Sequence, residues 1–395
     1  MLRGRDIIFI GSCDWEEAGI RERCVVNRLT ENNRVLYVEP ITSRMLSTLG
    51  PKTLKKKFRG VKKNPEVENL HVWSAPISKS KKFARKLSKI VKQMSLDTPV
   101  IYTTLPESVN ILDYFTESQV IYDSVGREHR FANAKNKDLQ RELEKRLIRT
   151  ATLVFTAASG LYNEFKEINS DCYLLTNGAQ VGHYAALNSR STTDHNSRPD
   201  ETFYVQAGIK EDLARQLGRR ERPHIGFIGG IGEWVDLPLI QYLADNRPDW
   251  VFLMVGPLAE EPGDVYNKQN VIFTGYMPYK QLPYVLQSFD VATCPFVFQQ
   301  AGVKVSPNKV TEYLAGGKPV VVTKAPNIRA YEEYVYAAES NEVFLEHLEQ
   351  ALKREQAYRR EGMLPSIKRM RKEFAWAHSF DEQIKRMEAL WNEQL

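Results

Sequence analysis

The chain has 395 residues, enough for two domains of ordinary size, each with a core of its own. Its 42% hydrophobic and 26% charged content is that of a globular protein in water, and it has no run of about 18 apolar residues, so no membrane-spanning helix is expected. The net charge of +6 is concentrated between Lys52 and Lys92, where Lys55, Lys56, Lys57, Arg59, Lys62, Lys63, Lys79, Lys81, Lys82, Arg85, Lys86 and Lys89 face only Glu66 and Glu68.

Asp6 to Ile10 is a short apolar run and reads as a buried first strand rather than a signal segment. A loop, Gly11-Ser12-Cys13-Asp14-Trp15, leads to a helix through Arg21, Cys24, Val25 and Leu29. The next strand runs from Arg34 to Val38, completing a βαβ opening. Open α/β sheets bind ligands beyond the carboxyl ends of their strands, so Asp14 and Trp15 are candidates to face a site. The alternative for the pair is a loop cap and a buried ring.

Within the basic run, Phe83, Leu87, Ile90, Val91 and Met94 recur at helical spacing and define an amphipathic basic helix. Such a helix suits an anionic membrane surface, which attracts it by about 1 kcal/mol per basic residue, or else presents a solvated face with its other side in the core. No nucleic acid is expected, because aromatic side chains do not interleave with the cations.

Strands are predicted at Leu70 to Trp73, Val100 to Thr103 and Val120 to Tyr122, the last ending in Asp123. A helix from Lys137 to Arg149 and a strand from Thr152 to Thr156 follow. The regular alternation is that of a doubly wound α/β domain. In Asp-Ser-Val-Gly-Arg-Glu-His-Arg, the residues Asp123, Arg127 and His129 are candidates for chemistry, His129 as an acid, base or acceptor ligand. A surface histidine in a basic loop is the other reading. Cys13, Cys24, Cys172 and Cys294 have neither metal-ligand nor disulfide-framework spacing, so free thiols in a reducing cytosol are expected.

After a short strand at Tyr173 to Leu175, Asn177-Gly178 marks a tight turn, and the polar stretch from Asn188 to Thr202, which lacks periodicity, reads as a mobile linker or a surface loop. A second alternating set begins with a strand at His224 to Ile228, the turn Gly229-Gly230-Ile231-Gly232 and a helix from Leu237 to Leu243. Further strands are predicted at Trp250 to Val255, Val271 to Phe273, Val291 to Cys294 and Pro319 to Val322. The glycine turn fails as a dinucleotide fingerprint because Val235 stands where a third small residue is needed. Gly317-Lys318-Pro319 lacks the spacing of a Walker loop. No Asp-x-Asp occurs in the chain, so neither a metal nor another cofactor is expected. Asn341 to Arg360 reads as a charged helix, and Phe374 to Trp391 as an amphipathic tail.

The most informative stretch is Val305 to Thr323. Ser306 suits an N-cap and Pro307 the first helical position, Gly316-Gly317 ends the helix, and Val320-Val321-Val322 is a buried parallel strand. The helix start favours an anion, and Lys309 adds a point charge there. Glu312, three residues on, lies on the same face and can accept two hydrogen bonds from a diol. A helix-surface ion pair worth about 0.2 to 0.5 kcal/mol is the plainer reading of Lys309 and Glu312.

This segment resembles the donor-site helix of the GT-B glycosyltransferases, in particular the family 4 type of bacterial cell-surface polysaccharide enzymes, including the teichuronic acid type. The resemblance implies two doubly wound Rossmann-like domains facing a cleft. They would comprise an acceptor domain at residues 1–183, a linker at 184–222, a nucleotide-sugar domain at 223–370 and a helix at 371–395 returning to the first domain. It assigns Glu312 to the nucleotide ribose, and Gly229, Gly230, Gly232, Lys304, Ser306, Asn308 and Lys309 to the rest of the donor. Lys304 departs from the family, standing at the first position of its common Glu, seven residues, Glu pattern. In the first domain Asp14, Asp123 and His129 are the candidate catalytic residues, and Trp15 and Arg127 the acceptor contacts.

The implied activity is metal-independent transfer of a hexose, with retention, from a nucleotide-diphosphate sugar, foremost a UDP-sugar, to a cell-surface polysaccharide or lipid-linked glycan. It would take place in the cytoplasm or peripherally on the inner face of the plasma membrane. A non-catalytic sugar-nucleotide-binding or partner subunit of the same fold is the alternative.

Overall fold

The computed structural model describes residues 3–15, 20–40, 60–75, 81–125, 137–157, 159–185, 199–219, 221–259, 261–297 and 308–394. The chain divides into two compact units, one formed by Met1–Asn177 with Gln383–Leu395, the other by Gly178–Glu382.

In the first unit the described elements are β1 (Asp6–Ile10), α1 (Ile20–Thr30), β2 (Arg34–Pro40), β3 (Lys62–Lys63), β4 (Leu70–Ala75), α2 (Lys81–Gln93), β5 (Val100–Thr103), β6 (Val120–Ser124), α3 (Lys137–Thr150), β7 (Leu153–Thr156), α4 (Ser159–Ile168) and β8 (Cys172–Leu174). The sheet order is β3-β4-β2-β1-β5-β6-β7-β8, parallel except for the edge pair of β3 and β4. Strands covered on both faces read as unbroken apolar runs, and β1, β5 and β7 are buried along their whole length. Trp73, Leu87, Ile101 and Phe165 belong to one core, and Phe9, Val26, Tyr102 and Phe155 to another.

The two sides of the basic helix α2 lie in different surroundings. Phe83, Leu87, Ile90 and Val91 are buried in the core, whereas Lys81, Lys82, Arg85, Lys86, Lys89 and Lys92 are exposed. Its apolar side is therefore not available for insertion into lipid, and only a cationic face remains. Of the basic run, Lys52, Lys55, Lys56, Lys57, Arg59 and Lys79 lie outside the described residues.

The second unit contains α5 (Val181–Ala185), α6 (Glu201–Gln206), α7 (Glu211–Gly218), β9 (His224–Ile228), α8 (Leu237–Asn246), β10 (Val251–Val255), β11 (Val271–Gly275), α9 (Leu282–Ser288), β12 (Val291–Cys294), α10 (Asn308–Ala315), β13 (Val320–Thr323), β14 (Tyr336–Ala338), α11 (Asn341–Arg360) and α12 (Leu364–Ala377). Its sheet is parallel throughout, in the order β11-β10-β9-β12-β13-β14. Local signals start and stop these helices. The Asp236 side chain accepts from the Leu239 amide at 2.9 Å at the head of α8, and Gly317, at φ 74°, ends α10.

Part of the stretch expected as a linker is helical. Asp200 caps α6, and Tyr204, Ala214 and Leu217 of α6 and α7 are buried in the core of the second unit. The polarity of the residues before them hides a short amphipathic pair that gains its stability from tertiary packing. The tail likewise resolves into two helices, α12 and α13 (Phe380–Gln394). From Gln383 onward α13 belongs to the first unit, where Ile384, Met387 and Trp391 are buried beside Tyr102.

Candidate functional site

In a doubly wound sheet the strand order reverses at one point, and the crevice beyond the carboxyl ends of the two strands there is where ligands bind. In the second unit that point lies between β9 and β12. The glycine turn leaves β9, Cys294 ends β12, and α10 runs into β13, the next strand along.

Tyr313 joins two of these parts. Its hydroxyl accepts from the Ile228 amide at 2.8 Å and donates to the Ile228 carbonyl at 3.2 Å, fixing α10 to the last residue of β9. The turn that follows is held from the other side by β10. The Gly229 amide donates to Val255 O at 2.9 Å and the Ile231 amide to Pro257 O at 2.9 Å. Gly256 makes this approach possible. At φ 144° it adopts a backbone that L side chains avoid, and a Cβ there would lie 2.0 Å from the Gly229 carbonyl oxygen.

Glu312 lies on this inner side of α10, with only 4% of its side chain exposed, and Lys309 Nζ donates to its Oε2 at 2.9 Å. This differs from the surface ion pair considered above, because the carboxylate is buried and only the lysine, 29% exposed, reaches solvent. Cys294 is buried nearby. Burial pushes its thiol far above the ordinary range, so it is an inert side chain and not a nucleophile. Tyr184 of α5 is also fully buried, and burial followed by the neighbouring Glu312 charge drives its hydroxyl well up. Gly317 and Lys318 serve the opposite end of α10, where Lys318 Nζ donates to Phe289 O at 2.8 Å and Gln287 O at 3.0 Å.

The first unit has its reversal between β1 and β5, and there Glu22 is buried under three donors. It accepts from Ser12 N at 3.0 Å, Thr104 Oγ1 at 3.0 Å and the Tyr37 hydroxyl at 2.9 Å. Asp123, at the end of β6, is gripped by Arg21 Nε at 2.9 Å and Nη2 at 2.8 Å and by the Tyr102 hydroxyl at 2.8 Å. Burial opposes the Arg21 charge, but Asp123 more than compensates and the guanidinium ends with a raised pKa. Asp123 is 1% exposed and takes these three donors on its roughly four acceptor sites, tying α1 and β5 to the end of β6.

Asp14 and Trp15 are also inside. Trp15 is 6% exposed, packs edge-on against Tyr37, and donates its amide to Glu39 Oε1 at 3.0 Å, so it is a core ring rather than an acceptor platform. Asp14 is buried against the Glu39 carboxyl, whose other oxygen takes the Ser74 hydroxyl at 2.5 Å. Burial and then Asp14 raise the Glu39 pKa, against the pull of Ser74 and Trp15.

Gly229, Gly230, Gly232, Asn308, Lys309 and Glu312 thus belong to one unit, and Asp14, Trp15 and Asp123 to the other. His129, Arg127, Lys304 and Ser306 lie outside the described residues. Tyr313, Tyr184, Glu22, Tyr37 and Glu39 were not singled out from sequence, and only the adjacency of Tyr313 to Glu312 could have pointed to one of them. Among the described residues no group of three or more His, Cys, Asp and Glu is placed to hold a metal ion.

Residues 222–354 match the family model described as glycosyl transferases group 1. Over 250 residues, 60% of this chain, the sequence is 30% identical to TuaH, a Bacillus subtilis (strain 168) protein assigned to teichuronic acid biosynthesis as a glycosyltransferase. The match spans 58% of that protein's length. The fold is similar to that of Anabaena HepE, solved with UDP and glucose, at TM-score 0.62 and 15% identity over 98% of this chain and 100% of that one. It is also similar to a glycosyltransferase from Rickettsia africae ESF-5, at TM-score 0.67 and 10% identity over 99% and 98% of the two chains. Starch synthase IV of Arabidopsis thaliana, bound to ADP and acarbose, gives TM-score 0.63 and 11% identity over 99% of each chain.

Proposed function

We propose that this protein, a GT-B chain with a group 1 glycosyltransferase domain at residues 222–354, transfers a sugar from a nucleotide-diphosphate sugar to a cell-surface polysaccharide or lipid-linked glycan. A hexose, moved with retention from a UDP-sugar, is the reading we favour. The observation that carries it is the buried Glu312 carboxylate on the inner side of α10, with Lys309 one turn nearer the helix start. Glu312 accepts the two ribose hydroxyls. Lys309, the amides at the head of α10 and the Gly230-Ile231-Gly232 turn receive the diphosphate, with Asn308, Ser306 and Lys304 completing that side. As the sugar leaves, negative charge builds on the diphosphate, and these groups neutralise it in place of a metal ion. Acceptor activation falls to the first unit, with Asp14 and His129 as candidates for the proton and Arg127 for acceptor contact.

The test is nucleotide binding and donor turnover in Glu312→Gln. Loss of the charge-assisted pair should cost about 1.5 to 3 kcal/mol of donor affinity and leave the fold intact. In the wild type, slow hydrolysis of the donor should persist in EDTA. Unchanged affinity in the variant sinks the assignment, hydrolysis lost in EDTA sinks the metal-free reading, and binding without hydrolysis of any nucleotide sugar identifies a non-catalytic subunit.

The basic face of α2 supports work at the inner face of the plasma membrane. That helix contains no acidic residue, and no described helix is long and apolar enough to cross a membrane. Attachment should require anionic liposomes and fade as salt shortens the Debye length from about 10 Å at 0.1 M to about 3 Å at 1 M. Changing Lys81, Lys82, Arg85 and Lys86 to Gln should weaken it, and equal sedimentation with neutral liposomes would leave the run as a solvated face.

A further inference from the structure

Tyr184 is 0% exposed, and its hydroxyl finds no partner at hydrogen-bonding geometry among the described residues. That is expensive. A buried hydroxyl without a partner costs stability, and phenylalanine would fill the same space without the penalty. The ring is well anchored on α5. It meets His183 edge-on at 5.1 Å and Tyr279 edge-on at 6.4 Å, while His183 stacks on Tyr279 at 4.0 Å and its Nε2 lies 3.0 Å from the Tyr279 carbonyl oxygen. The hydroxyl is therefore held where α5 packs against α10, facing the Glu312 carboxylate at the margin of hydrogen-bonding reach, where that carboxylate acts on it as a charge and as a weak acceptor.

The carboxylate's own situation explains the arrangement. Its Oε2 is bonded to Lys309, and the lysine has a second task in the reading given above, to meet the diphosphate. When it does so, Glu312 loses its ion-pair partner inside the protein, where an unpaired charge is costly. A diol supplies two donors, but the carboxylate must keep the orientation that receives both. We infer that Tyr184 is a positioning residue for the nucleoside. Its hydroxyl donates to Glu312 once Lys309 has turned to the diphosphate, and so holds both carboxylate oxygens toward the ribose diol. This inference rests on the donor reading of α10 and extends it to a residue on α5, outside the helix.

The experiment compares UDP with the dideoxy analogue that lacks the diol, titrated calorimetrically into the wild type, Tyr184→Phe and Glu312→Gln, with melting temperatures of the unliganded proteins. Tyr184→Phe should weaken UDP about 5- to 10-fold, leave the analogue unchanged, and melt at the same temperature as the wild type or higher. A merely structural tyrosine would weaken both ligands alike and lower the melting temperature, which overturns the inference, as does unchanged UDP affinity. If Glu312→Gln loses UDP affinity while Tyr184→Phe does not, the donor reading stands and this inference falls. If the wild type binds none of UDP, GDP and ADP, the donor reading itself fails and takes the inference with it.

Discussion

The two sheets place their order reversals in the same topological position but treat the polar groups there in opposite ways. Beside the β1 and β5 junction, Glu22 is held by Ser12, Thr104 and Tyr37, and at the end of β6 Asp123 is held by Arg21 and Tyr102. Beside the β9 and β12 junction, Glu312 is bonded to one long lysine, and the neighbouring Tyr184 hydroxyl faces it without a well-formed hydrogen bond. A carboxylate closed off by several short, rigid donors is part of the scaffold. One that is satisfied by a single flexible cation can exchange that cation for a ligand at small cost.

The largest expected effect breaks the closed side of this comparison. Arg21→Met leaves Asp123 as a buried, uncompensated carboxylate and frees the Leu175 carbonyl that Arg21 also holds at 2.9 Å, so a loss of about 3 to 5 kcal/mol is expected in denaturant unfolding. Nucleotide affinity, which the proposed donor site assigns to the other unit, should be unchanged in the folded variant. A change of less than about 1 kcal/mol would mean that the pair is not the tie described.

An intermediate effect separates two tyrosines close to Glu312. Tyr313→Phe strips the donor and acceptor that fix Ile228, leaving a buried amide without its partner, and should cost about 1 to 3 kcal/mol. Tyr184→Phe should cost nothing. Melting curves of the two variants side by side check this, and equal losses would erase the distinction between a bonded and an unbonded hydroxyl.

These contrasts also explain what the sequence could reveal. Strands buried on both faces are apolar runs, so β1 and β13 are visible in Asp6 to Ile10 and in Val320-Val321-Val322, and α10 is visible through Lys309, Glu312 and the terminating glycines. Partnerships between polar groups are not written in spacing. Asp123 reads as a candidate catalytic residue, but nothing in its spacing shows that Arg21, 102 positions away, sits on its oxygens, or that Tyr313 meets Ile228 across 85 positions. Sheet order decides both meetings. The helices α6 and α7 were hidden for another reason, being short segments stabilised by contact rather than by their own composition.

The smallest expected effect concerns Glu39, a carboxyl near the first reversal whose pKa is raised. Burial and the Asp14 carboxyl raise it in the folded protein, while Ser74 and the Trp15 amide pull the other way. A carboxyl whose folded pKa exceeds its unfolded value contributes stability that is fully present below the ordinary glutamate range, and this is lost as pH rises through the folded value. A glutamine side chain at this position would not titrate and would still accept from Trp15 and donate to Asp14. Glu39→Gln should therefore match the wild type in acid and exceed it increasingly toward neutrality, by less than about 1 kcal/mol. Asp14, Cys13, Glu22, Tyr37 and Arg23 share this surrounding, so Asp14→Asn is measured beside it. Melting temperatures from about pH 4 to 8 check the sign across the window that begins at the ordinary glutamate value. Curves for the variant and the wild type that stay parallel would place Glu39 among the saturated groups with Glu22 and Asp123. Curves that diverge toward neutrality would leave it as a strained carboxyl in the unit whose other reversal-site carboxylates, Glu22 and Asp123, are closed off.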